Sequence, residues 1–254
     1  MTFYLAYCAI DFNRCSTIFI VRFKELDALR GSAVLAMIVF HAFYDLDFTG
    51  SIDIDLSSGF WWFFPRAIAS VFIFVAGISL SLSYSSGRVD PMQYFIRGVK
   101  LFGIGIVITC VTYIFAPHAY IRFGILHFIG IATMLAFPFL KRSSLLNIIL
   151  GVLSIIAGFW LKGVYASYPY LLWLGVKPYS FYTLDYFPIL PWFGAILFGI
   201  AAGNFFYPQH KRRWDIRETE ALEPLAIMGS HSLLIYLLHQ PILLFLISLL
   251  EKVI

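Results

Sequence analysis

The stretch "AVLAMIVFHAFYDLDF" (residues 33–48) decides how this chain is read. Eight uncharged residues run into His41, and Asp45 and Asp47 follow. At 3.6 residues per turn His41 and Asp45 fall on one helix face, and Asp47 does not share it. Such residues at the end of an apolar run mark either a helix end reaching water or polar chemistry held inside a membrane. The rest of the chain has to separate the two.

Of the 254 residues, 61% are hydrophobic and 13% charged. Soluble domains carry about 25% charged residues, so half that charge points to an integral membrane protein. The 27 Phe and 15 Tyr suit aromatic belts at the two interfaces. A net charge of +4 then gives no reason to invoke nucleic acid. Cys8, Cys15 and Cys110 have neither metal-ligand spacing nor an even count for disulfides.

A helix crossing a bilayer needs about 20 mainly apolar residues. Seven stretches qualify: 28–48, 60–84, 97–116, 122–140, 144–162, 186–206 and 225–250. The expected fold is therefore all-α, a polytopic membrane helix bundle of about seven or eight transmembrane helices. Residues 1–23 read as an N-terminal extension, because "FYLAYCAI" is too short to span and has no basic residue before it. Residues 24–254 form the membrane domain. Gly199 and Gly203 suit close helix packing.

Basic residues give the orientation. Alternate loops collect Arg14, Arg22, Lys24, Arg30, Arg88, Arg97, Lys100, Lys141, Arg142, Lys211, Arg212, Arg213 and Arg217 on one side. Only Arg66, Arg122, Lys162, Lys177 and Lys252 fall on the other. The excess marks the cytoplasmic side, so the expectation is a multi-pass plasma-membrane protein with the N-terminus inside and the C-terminus outside.

Depth follows from the rise per residue. His41 lies eleven residues beyond Arg30, about 16 Å along the axis, in the outer half of the membrane. His127, His239, Arg66 and Arg122 count to similar depths, and Asp185 begins the sixth span at the outer side. Ionisable residues inside a membrane are costly and are functional candidates by default. Arg66 and Arg122 have a plainer reading as interfacial snorkelers, and His127 as a hydrogen-bonded packing histidine. His231 near the inner end reads as a cap or anchor, and His118 and His210 as loop residues. His41, Asp45, His127 and His239 could also be counted as metal ligands, but the arginines at the same depth oppose a cation, and no metal is expected.

"ELDALRGSAVLAMIVFHAFYDL" resembles the first membrane helix of the transmembrane acyltransferase superfamily, whose hallmark is an arginine, ten residues, then a histidine: here Arg30 and His41. Within that superfamily the chain resembles the heparan-alpha-glucosaminide N-acetyltransferase catalytic-domain family, in its prokaryotic branch. "FPRAIASVFIFVAGISLSLSYS", "IRFGILHFIGIATML", "LDYFPILPWFGAILFGIAAG" and "MGSHSLLIYLLHQPIL" match later helices in order, over about residues 24–250. The resemblance implies transfer of acetyl from cytoplasmic acetyl-CoA to a glycan-type acceptor on the outer face. The lysosomal member acts on a terminal glucosamine amine. It carries asparagine where this chain has His41, a catalytic histidine in the following loop, and a glutamine-type residue at the place of His127. The 49–59 loop here contains no histidine, so the base and the acceptor do not carry over.

Histidine has the right unperturbed pKa for the base in acyl transfer. Asp45 is the candidate to orient His41, with His127 and His239 completing the catalytic set. His41 can instead be the nucleophile that carries the acetyl group. Arg66 or Arg122 would stabilise the oxyanion or bind CoA phosphates, and Arg30 and Asp185 complete the substrate-binding set. The competing reading is a proton-coupled transporter using His41, Asp45, His127 and His239 as a relay. Expected partners are the small-molecule donor, the glycan-type acceptor and the lipid bilayer. A homo-oligomer stays open, because lipid-facing and partner-facing surfaces look alike in sequence.

Overall fold

The computed structural model describes residues 23–87, 90–214 and 220–250. Eight helices follow in order: α1 (Lys24–Phe48), α2 (Gly59–Ser85), α3 (Pro91–Phe115), α4 (Ile125–Leu140), α5 (Ser144–Leu161), α6 (Ile189–Phe206), α7 (Glu223–Ser230) and α8 (Ser232–Leu250). No strand occurs among the described residues, so the all-α expectation holds. Among the described residues six helices are long and apolar enough to cross a bilayer. The 16-residue α4 is shorter, about 24 Å against a hydrocarbon core of about 30 Å. Val107, Ile114, Leu153, Phe159, Leu238 and Phe245 expose large apolar side chains. A surface this apolar is a liability in water and a lipid contact in a bilayer. The chain is a multi-pass membrane protein.

Helix ends follow local chemistry. Asp90 caps α3 by accepting from Met92 N at 2.6 Å, with Pro91 at the first position. Ser143 caps α5. Beyond α1, Asp47 accepts from Ile54 N at 2.8 Å and Gly50 takes φ +77°. Asp47 therefore shapes the loop and has no part in the His41 face. Residues 163–185 contain no further span: a 3₁₀ turn at Pro169–Leu171 and a Tyr165–Lys177 bridge close them as a loop.

The helices form two compact units, with the division inside α2. One contains α1, α2 as far as Phe72, α7 and α8; the other runs from Ile73 through α6. In the first, α1 packs on α7 through facing glycines. A Cβ on Gly31 would overlap the Leu225 carbonyl, and one on Gly229 the Asp27 carbonyl. An exposed Lys24–Glu223 ion pair at 3.0 Å joins the same two helices. The span expected over 225–250 is broken at His231, whose Nδ1 lies 3.0 Å from the Ile227 carbonyl. Beyond the break α8 runs in the same sense as α1: Gly229 lies beside Asp27 and Gly31, His239 beside His41, and Gln240 beside Asp45. In the second unit a Cβ on Gly199 would overlap the Phe74 carbonyl, and one on Gly203 would lie 2.7 Å from Ser81 Cβ. Both glycines thus have the packing role expected of them.

Of the residues used for orientation, Arg14, Arg22, Arg88, Arg217 and Lys252 lie outside the described residues, as does all of the N-terminal extension but Phe23.

Candidate functional site

The first unit brings together His41, Asp45 and His239 from the expected set. On α1, residues four apart stack on one face, and that face meets α8. The His41 and His239 rings lie 4.9 Å apart between centroids, tilted by 55°. His239 Nδ1 is 2.6 Å from the Tyr236 carbonyl in the preceding turn. A carbonyl only accepts, so Nδ1 carries the proton and the neutral ring keeps its lone pair on Nε2. That Nε2 is buried and has no hydrogen-bond partner among the described residues. The same is true of His41 Nδ1. Phe40 packs edge-on to His41 at 5.5 Å and reaches Trp61 and Phe64 of α2, so an aromatic wall flanks the imidazole.

Asp45 has a different partner from the one expected. It is 3% exposed, and both its oxygens accept from Gln240 Nε2, at 2.8 and 3.0 Å. No hydrogen bond joins it to His41. A buried carboxylate needs donors, and the flexible amide of the neighbouring helix supplies them where a ring one turn away does not reach. Gln240 was missed in the sequence. The signal was present, since "HQ" is a polar pair inside an otherwise apolar run.

Two other members of the binding set are engaged locally. Arg30 pairs with Asp27 at 2.8 Å, eleven residues before His41. Arg66 donates to the Trp62 carbonyl of its own helix and lies 4.1 Å over the Trp62 ring.

The second unit gathers Arg122, His127 and Asp185 at the start of α4. His127 is 2% exposed. Its Nδ1 accepts from Gly124 N at 3.2 Å, so Nε2 carries the proton and faces Thr109 Oγ1 at 3.3 Å. Thr109 in turn donates to the Ile121 carbonyl at 2.7 Å. With both nitrogens bonded, His127 caps a helix and ties α3 to α4, and the structure gives it no open nitrogen for proton transfer. Asp185 Oδ2 accepts from Ile125 N at 2.9 Å, at the positive end of the α4 dipole. Burial pushes its carboxyl up to about 6, against the opposing pull of the Ile125 and Tyr186 amides. The Arg122 guanidinium lies 4.8 Å over Tyr120 and 5.5 Å over Phe181. Its Nε is buried with no hydrogen-bond partner among the described residues. No group of three or more metal-ligating side chains occurs among the described residues.

The model of the family described as heparan-alpha-glucosaminide N-acetyltransferase, catalytic, matches residues 22–241, most of the chain. No curated protein and no solved structure matches it.

Proposed function

We propose that this chain, which belongs to the heparan-alpha-glucosaminide N-acetyltransferase catalytic family, is a membrane acetyltransferase that takes acetyl from cytoplasmic acetyl-CoA and passes it to an amine or hydroxyl of a glycan-type acceptor on the outer side. The observation that carries this reading is the imidazole pair on α1 and α8, each ring with one buried, open nitrogen. The orientation rests on the distribution of Lys and Arg, and the plasma membrane is the location proposed with it.

In direct transfer the acceptor nitrogen or oxygen attacks the thioester carbonyl. His239 Nε2 takes the proton released, the carbon–sulfur bond breaks, and CoA leaves as the thiol with that proton. The Tyr236 carbonyl steadies His239 in this work, as a carboxylate does elsewhere, because it accepts from Nδ1 throughout. In the two-step form the open Nδ1 of His41 attacks the thioester carbonyl, the carbon–sulfur bond breaks, and CoA leaves as the thiol with the proton lost from the acylated imidazole. His239 Nε2 then takes the proton of the attacking acceptor, the acetyl–Nδ1 bond breaks, and that proton returns to His41. Arg122 keeps a buried N–H donor suited to an anionic oxygen. His127 supports the start of α4.

The test uses purified protein with labelled acetyl-CoA and a soluble α-glucosaminide. His41→Ala and His239→Ala should each lower transfer by about 100-fold or more, the usual scale for loss of a general base. Full transfer by both variants removes the imidazole pair from the mechanism. Rapid quenching separates the two routes, since only the two-step form leaves acetyl on the protein.

A further inference from the structure

The Asp45–Gln240 pair has a direction. An ionised carboxylate presents acceptors only, so a charged Asp45 turns the NH₂ of the amide toward itself, and the opposite orientation would set oxygen against oxygen. Both carboxylate oxygens receive Nε2, at 2.8 and 3.0 Å. The other end of the amide is oriented with it: Oε1 is the acceptor that does not face Asp45. That oxygen is buried and has no hydrogen-bond partner among the described residues. A buried acceptor left unpaired costs stability, and this one is held in place by a neighbour that could have been satisfied more simply.

Its position gives the reason. Gln240 is one residue beyond His239, and Asp45 is one turn beyond His41 on the facing helix, toward the polar loop after α1. Gln240 therefore belongs to the same α1–α8 seam in which the two imidazoles meet. The acetyl end of a thioester offers no hydrogen-bond donor; its first N–H lies two methylenes past the sulfur. An amino sugar or polyol carries N–H and O–H groups around the reacting atom.

We propose that Gln240 binds the acyl acceptor, its Oε1 accepting a hydrogen bond from an N–H or O–H of that molecule beside the reacting group, and that Asp45 is the positioning residue that aims it. This rests on the transferase reading. It moves Asp45 from His41 to the acceptor subsite, so its loss changes recognition of the acceptor more than the chemical step.

The experiment measures steady-state transfer from acetyl-CoA to an α-glucosaminide, varying each substrate in turn. Gln240→Met should raise the acceptor KM about tenfold, the scale of one hydrogen bond, and leave the acetyl-CoA KM within about twofold of wild type, because uniform binding of one substrate is what is lost. Asp45→Asn, which lets the amide turn over, should raise the acceptor KM in the same way. Adding Asp45→Asn to Gln240→Met should have no further effect, since Asp45 acts through Gln240. If a single variant does not fold with a buried polar group orphaned, Asp45→Leu with Gln240→Met removes both partners together and should show the same rise in acceptor KM. An unchanged acceptor KM, a rise in the acetyl-CoA KM instead, or full additivity of the two changes overturns the proposal. A wild-type protein that releases no CoA with amine- or hydroxyl-bearing glycans overturns the transferase reading itself, and the two failures are told apart in the wild-type assay.

Discussion

His127→Leu separates a catalytic histidine from a structural one. The ring accepts from Gly124 N at 3.2 Å and meets Thr109 Oγ1 at 3.3 Å. A leucine keeps bulk between Phe102 and Phe123, whose rings lie 5.2 and 5.8 Å from the imidazole, but makes neither bond. Thr109 retains the Ile121 carbonyl, so that end loses only one contact, about 1 kcal/mol. The Gly124 N–H is left buried without its acceptor, which costs about 1–3 kcal/mol. The sum is about 2–4 kcal/mol, and at roughly 2–4 °C per kcal/mol for a chain of this size the melting temperature falls on the order of 10 °C. Transfer per folded molecule should stay within about threefold of wild type, far from the 100-fold loss expected for a removed base.

His127→Gln sharpens the test. A glutamine oxygen can accept from Gly124 N while its NH₂ donates to Thr109, the same pattern with no titratable group. It should recover most of the lost melting temperature and leave the pH profile of transfer as it is in wild type, because the proposed base is His239. Thermal unfolding in detergent and a transfer assay on the same preparation read both quantities. A folded His127→Gln protein with transfer lowered 100-fold would refute this reasoning and return His127 to the catalytic set.

Gly31→Ala places a methyl group on the Leu225 carbonyl, and Gly229→Ala one on the Asp27 carbonyl. Backbone cannot yield as a side chain does, so each should cost about 3 kcal/mol, the upper end for overpacking, seen as a lowered midpoint in denaturant. Asp185, held near 6 by burial, keeps its proton in the folded chain at pH values where the unfolded chain has lost it. Its contribution is fully present below about pH 4 and is lost as pH rises through 6. Wild type should therefore lose melting temperature relative to Asp185→Asn between pH 4 and 7, and parallel curves would discount the effect. Acetyl-CoA should raise the melting temperature of detergent-solubilised protein, an outcome a proton-coupled carrier gives no reason to expect.

How the sequence succeeded and failed has a physical cause. Apolar length locates spans, because a bilayer fixes the thickness to be crossed, and each expected stretch from 28–48 to 186–206 overlaps a helix of the structure. The break at His231 had a signal, the polar run "GSHS" inside the expected 225–250 span, but His231 reads there as a cap or anchor of one helix rather than as the join of two. Rise per residue gives position along an axis, which is how His41, Asp45 and His239 could be matched before any contact was known. It gives neither the partner of a side chain nor the tautomer of a ring. Asp45 reads as the neighbour of His41 at i+4, yet its donor comes from Gln240, nearly two hundred residues away. His127 reads as one more buried imidazole, yet it is satisfied by a backbone amide three residues back. What separates a histidine that can move a proton from one that holds a helix is whether a nitrogen remains open. Here the difference is set by a single backbone group each time: the Tyr236 carbonyl, which leaves the lone pair of His239 open, and the Gly124 amide, which consumes that of His127.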